Sequence, residues 1–119
     1  MSNFTVDALN IAADAVAGDI ETVSLHSADP GAGGDNELTG GSYARQSVTF
    51  DAATGGEAFV NNSPTFDVPA DGTVAYLGFW DGADAFKVSV QVVTETYSEN
   101  GGTYQVLNTT KLSVSNPAA

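Results

Sequence analysis

Two periodicities divide this chain. Across residues 5 to 17, "TVDALNIAADAVA", the apolar positions Val6, Leu9, Ala13 and Val16 recur at spacings of three and four and continue to Ile20, which predicts an amphipathic helix. Thr5 is placed to cap it, Asp7 suits its positive end, and Gly18 suits its stop. A helix this short and alanine-rich persists only when packed against something. Beyond Gly18 the period becomes two. "ETVSLHS" (21–27) reads as a strand with Val23 and Leu25 on one face and Thr22, Ser24 and His26 on the other. "SYARQSVTF" (42–50), "EAFVNN" (57–62) and "TFDVP" (65–69) are further candidates. "TVAYLGFWD" (73–81) is apolar on both faces, with Val74, Tyr76 and Trp80 on one and Ala75, Leu77 and Phe79 on the other, as in a central strand covered on both sides. In the last third, Phe86, Val88, Val90 and Val92 alternate with Lys87, Ser89 and Gln91, and Tyr104, Val106, Leu112 and Val114 share one parity. "ENGG" between these runs predicts a long antiparallel hairpin.

Turn signals ("DPGAGG", "ATGG", "PADG", "DGAD", "ENGG") punctuate the strands at short intervals. The expected fold is mainly β: a single antiparallel β-sandwich, jelly-roll or immunoglobulin-like, with one short N-terminal helix. The 119 residues suit one domain over 1–119, the helix lying within 1–18 and the strands within 21–116, with "SNPAA" expected to fray. The start, "MSNFTVDALN", lacks the basic and apolar regions of a signal peptide, and no apolar run approaches the roughly 18 residues of a membrane helix.

Charge narrows the function classes. Fifteen acidic residues face three basic ones, Arg45, Lys87 and Lys111, for a net charge of −12. Nucleic acid is not an expected partner, because phosphate binding needs clustered cations, and an anionic membrane would repel the chain. Such a balance suits a virion or cell-surface protein kept soluble by charge. It also suits adaptation to high salt, where screening makes self-repulsion cheap, and the scarcity of lysine favours this second reading.

Candidate chemistry concentrates in "SLHSADPGAGGDNELTGGSYARQSVTF" (24–50). Asp29, Asp35 and Glu37 are the candidate ligands for calcium, which takes carboxylate and loop carbonyl oxygens; the stretch does not follow the EF-hand spacing, and turn chemistry explains the same residues. Its glycines match neither a P-loop nor a dinucleotide fingerprint. With one histidine and no cysteine, zinc and disulfides are not expected. His26 near Ser24 and Ser27 lacks a nucleophile elbow, so a solvated or hydrogen-bonded imidazole is expected, and no enzyme activity. Arg45, the lone arginine, is expected to take a carboxylate in its planar fork, either as a clamp to Asp29, Asp35 or Glu37 or as a contact to a neighbouring subunit. Phe79 and Trp80 cannot share one core, because neighbouring strand residues alternate; one of them must meet the helix, a second sheet or another chain.

"VSLHSADPG", "ELTGGSYARQSVTFDAATGG" and "VPADGTVAYLGFWDGADAF", taken together, resemble a family of small tailed-phage structural proteins with the pattern "LHTADPG…GGSYARQAVTF…VGLWDA". Its members are described as tail fibre, minor tail or head-associated proteins. The resemblance covers nearly the whole chain, which departs from it in charge and in the long polar segment 86–115. It implies a non-enzymatic virion structural protein, an accessory subunit on the capsid surface (decoration or turret) or in the tail. The alternative is a receptor- or carbohydrate-binding module of a tail or baseplate, using Tyr43, Trp80, Asp81, Tyr97 and Tyr104. Implied partners are other copies of the chain and capsid or tail proteins, with a host receptor in the alternative, and no cofactor. The particle would be extracellular, in a high-salt setting. The interface candidates are Val6, Leu9, Val16, Arg45, Phe79 and Trp80.

Overall fold

A computed structural model describes residues 2–116, so the final Pro117-Ala118-Ala119 of the expected frayed tail lies outside the described residues. The chain begins with α1 (Val6–Asp19), capped by Thr5, whose Oγ1 accepts the Ala8 N–H. Gly18 does not stop the helix. It runs one residue further and passes directly into β1 (Ile20–His26), with Ile20 already extended. Leu9, Ala13 and Ala17 form the buried face, continued by Ile20. Val6 and Val16, assigned to that face by their spacing, are 60% and 36% exposed. Both lie on or beside the buried arc in helical projection, but Val6 is the first residue of the helix, a turn before the first buried position, and Val16 sits at the arc's edge.

Seven further strands follow: β2 (Gln46–Ser47), β3 (Glu57–Phe59), β4 (Thr65–Val68), β5 (Thr73–Asp81), β6 (Phe86–Thr96), β7 (Gly102–Gln105) and β8 (Lys111–Ser113). One layer is a four-stranded antiparallel sheet in the order β2-β1-β5-β6. The other consists of two antiparallel pairs, β3-β8 and β4-β7. Val23, Leu25, Leu77 and Phe79 from the first layer share a core with Ala58, Phe66, Val68 and Leu112 from the second, so the fold is an antiparallel β-sandwich.

The C-terminal runs do form strands, but not the expected hairpin. β6 pairs with β5, across the turn at residues 82–85; β7 crosses to pair with β4, and β8 with β3. "ENGG" does turn the chain, the Gly101 N–H donating to the Ser98 carbonyl, but the turn carries it from one layer to the other. Alternation specifies which residues share a face and leaves the partner strand open. The expected strand 42–50 is likewise only two paired residues, with an isolated bridge from Phe50 to Val60, and Tyr43 and Arg45 lie in the preceding loop.

β5 is interior, as its two apolar faces require. Its parity is not constant: Val74 joins Leu77 and Phe79 in the core, three positions apart where simple alternation separates them, next to a register shift between Val74 and Tyr76.

Candidate functional site

The loop after β1 folds back over the outer face of the four-stranded sheet. Asp29 Oδ1 accepts the Gly31 N–H at 2.9 Å, closing a turn at Pro30, and the Leu38 N–H donates to the Leu25 carbonyl at 3.0 Å, returning the chain alongside β1. Gly34, with φ +75°, lies against the rings of Trp80 and Phe86; a Cβ there would fall 2.5 Å from the indole. The "polar" parity of β1 is therefore buried, and Ser24 and His26 are both 0% exposed.

Beneath the loop a chain of hydrogen bonds is complete. The Trp80 Nε1–H donates to Ser24 Oγ at 2.7 Å, Ser24 lies 2.6 Å from His26 Nε2, and His26 Nδ1 lies 2.6 Å from the Asp35 carbonyl. A carbonyl only accepts, so Nδ1 carries the imidazole proton and Nε2 accepts from Ser24. Burial holds the His26 pKa below its ordinary value, outweighing the Asp35 carbonyl and the Glu37 charge, and the ring is neutral. Gly78, opposite Ser24, is required: a Cβ would stand 2.4 Å from His26 Nε2 and 2.7 Å from Ser24 Oγ. An isolated glycine inside an apolar strand is the sequence signal for such close approach.

Arg45 lies above this network. Its Nε donates to Glu37 Oε2 at 3.0 Å and its Nη2 to Glu37 Oε1 at 2.9 Å, a two-pronged pair, while Nη1 reaches Asp84 at 3.5 Å. The guanidinium carbon is 3.6 Å from the Trp80 ring centroid, so Arg45 covers the ring, which meets Phe86 edge-on with centroids 5.2 Å apart. Tyr43 donates its hydroxyl proton to Glu37 Oε2 at 2.8 Å, accepts the Leu25 N–H at 3.0 Å and stacks on Phe66. Burial alone would raise the Glu37 carboxyl, but hydrogen bonds from Arg45 and Tyr43 hold it below the usual range. Burial and the adjacent Glu37 push the Tyr43 phenol well up.

The arrangement holds a loop to a sheet. Ser24 has no path to a substrate, and His26 leans on a backbone carbonyl where a hydrolytic triad has a carboxylate. Of the three candidate calcium ligands, Glu37 has both oxygens engaged, Asp29 closes its turn, and Asp35 contributes its backbone. Among the described residues no three metal-ligating side chains converge. Phe79 is fully buried beside Phe50, and Trp80, 8% exposed, belongs to the network on the opposite face.

Residues 4–115 match the model of one protein family, described as podophage GP4 fiber I protein gp80. The chain belongs to this family. No curated protein and no solved structure matches it.

The surface of this fibre-family chain is acidic with its cations engaged. Arg45 is paired as described, Lys87 lies 3.6 Å from Asp81 and 3.9 Å from Asp19, and Lys111 pairs with Glu57. Hydrogen bonds from the Ala85 and Ala83 N–H groups, reinforced by Lys87, lower the Asp81 pKa. The larger exposed apolar side chains fall in two places. Phe4, Val6, Ile11 and Val16 lie on and before the helix, and Val93 and Leu107 lie beside the β6 edge. No helix of the described residues is long and apolar enough to cross a membrane.

Proposed function

We propose that the protein is a non-enzymatic structural subunit of a phage tail fibre, working through surfaces it buries against copies of itself and other virion proteins. The observation that carries this is the family match over residues 4–115. The site agrees with it: the groups with most chemical potential, Ser24, His26, Glu37, Tyr43 and Arg45, are spent on one another. The fibre description favours a tail position over a capsid decoration. Receptor binding through Trp80 is disfavoured, because that ring is covered by Arg45, Gly34 and Phe86. A net charge of −12 fits a particle released into concentrated salt. Immunogold labelling of intact particles tests the placement. Label on the tail is the expected result; label over the head lattice, or none on the particle, overturns it.

A further inference from the structure

We infer that the outer edge of β6 is an interface between two copies of this chain, formed by antiparallel β6–β6 pairing centred on Gln91. This rests on the reading of the protein as a self-associating virion subunit, and names the surface. Among the described residues β6 pairs with β5 alone, so its second edge runs for 11 residues without a partner strand. Such an edge presents backbone N–H and C=O groups to any strand that can lie beside it. A furrow follows the edge. Hollows of about 450, 490 and 600 Å³ succeed one another along it; the first two share Val88, and the last two share Gln91, Val92, Thr109 and Thr110. The hollows line up from Val16 on the helix to Tyr104 on β7. The furrow's lips carry Val93, 87% exposed, and Leu107, 59% exposed, two apolar side chains that a neighbour would cover.

Charge selects the occupant. Two copies at −12 repel each other, and a contact that sets a cation opposite a carboxylate offsets this; Lys87, 43% exposed and no nearer than 3.6 Å to its own carboxylates, is free to turn to one. Two of the three cations, Lys87 and Lys111, line the furrow toward its helix end, and Glu95 lines the other end. An antiparallel second β6 delivers the matching pattern. With Gln91 opposite Gln91 of the partner subunit, Lys87 faces the partner's Glu95, Ser89 faces the partner's Val93 and Val90 faces the partner's Val92, each contact made twice by the two-fold symmetry. β6 is bulged at Lys87 and between Gln91 and Glu95, which confines the regular added ladder to the middle of the strand and leaves the charge pairs to close its ends.

The chain has no cysteine, so a single introduced thiol reports its neighbour without background. Gln91→Cys in the full chain is expected to cross-link to itself on mild oxidation, with exposed Asp7→Cys as the uncross-linked control. Light scattering should find the native protein dimeric. Lys87→Glu and Glu95→Lys should each weaken the dimer by about tenfold, as like charges placed opposite each other across a strand pair do. Combining both should restore it. Because Lys87 also pairs with Asp19 and Asp81, Glu95→Lys and the cross-link stand as the test if Lys87→Glu unfolds. A native chain that stays monomeric at every salt and protein concentration overturns self-association itself. A native oligomer whose Gln91→Cys form does not cross-link above the control, or whose double charge swap does not restore association, overturns the β6 interface and leaves self-association standing.

Discussion

Arg45 shows how much one side chain can organise. It neutralises a carboxylate that burial disfavours, covers an indole and ties residues 37 and 84 to the same point. A lysine keeps the charge but loses the fork and the flat stacking surface. Arg45→Lys should therefore cost roughly 1–3 kcal/mol, read from urea unfolding, because Glu37 is left with buried lone pairs. An unchanged midpoint would show that the pair is only a surface decoration. His26 gives a pH signature. Its folded pKa is lowered, so below about 6.5 the unfolded imidazole takes a proton that the folded one refuses. Stability is full above that pH and falls as pH drops toward the folded value, by at most about 1.4 kcal/mol per pH unit. Glu37 acts in the same direction at lower pH: its contribution is present above about 4.3 and is lost as pH falls through its depressed folded value. The melting temperature between pH 7 and 5.5, compared with that of a variant lacking the imidazole, isolates His26. The decline should flatten in His26→Gln; an equal decline in the variant would assign it elsewhere.

At the scale of elements, the helix separates what periodicity supplies from what packing supplies. Spacing identified the helix and its cap, and placed Leu9, Ala13 and Ile20 on the inner side. It put Val6 and Val16 on the same side, as helical projection does, but hydrophobicity alone cannot say how much of that face the sandwich covers. Ala13 is fully buried, and Val6 faces solvent. Ala13→Leu should destabilise by about 1–3 kcal/mol through overpacking, whereas Val6→Ser should stay within about 0.5 kcal/mol. Thermal melts of the two variants check this, and a large loss in Val6→Ser would mean that the helix face is covered in solution. The C-terminal strands teach the complementary lesson. Val88, Val90, Val106 and Leu112 were recognisable as inward-facing, yet their partner strands were not, since any two strands of matching alternation are compatible in sequence.

The whole molecule confines 15 carboxylate side chains to a body of 48 × 27 × 26 Å. Their mutual repulsion reaches about 10 Å at 0.1 M salt and only about 3 Å at 1 M, the Debye lengths at those concentrations. The cations are already paired, so added salt mainly relieves repulsion. The melting temperature should rise steadily from low to molar sodium chloride. A flat or falling curve would mean that the charge is an adornment of the surface and carries no adaptation to salt.

Composition and local pattern were sufficient for the class of fold, the helix with its Thr5 cap and the covered central strand β5, because periodicity is a property of short stretches. The buried fate of Ser24 and His26 was decided only in three dimensions. On β1 their parity is polar, and that would leave them in water had the loop 27–45 not folded over them, with Gly34 and Gly78 leaving the space and Arg45 fastening the cover to Glu37. Tertiary structure likewise sent β7 and β8 across the sandwich and left one edge of β6 without a strand partner. A strand carries the same two rows of backbone donors and acceptors whatever lies beside it, so its sequence fixes a face and the fold chooses the neighbour.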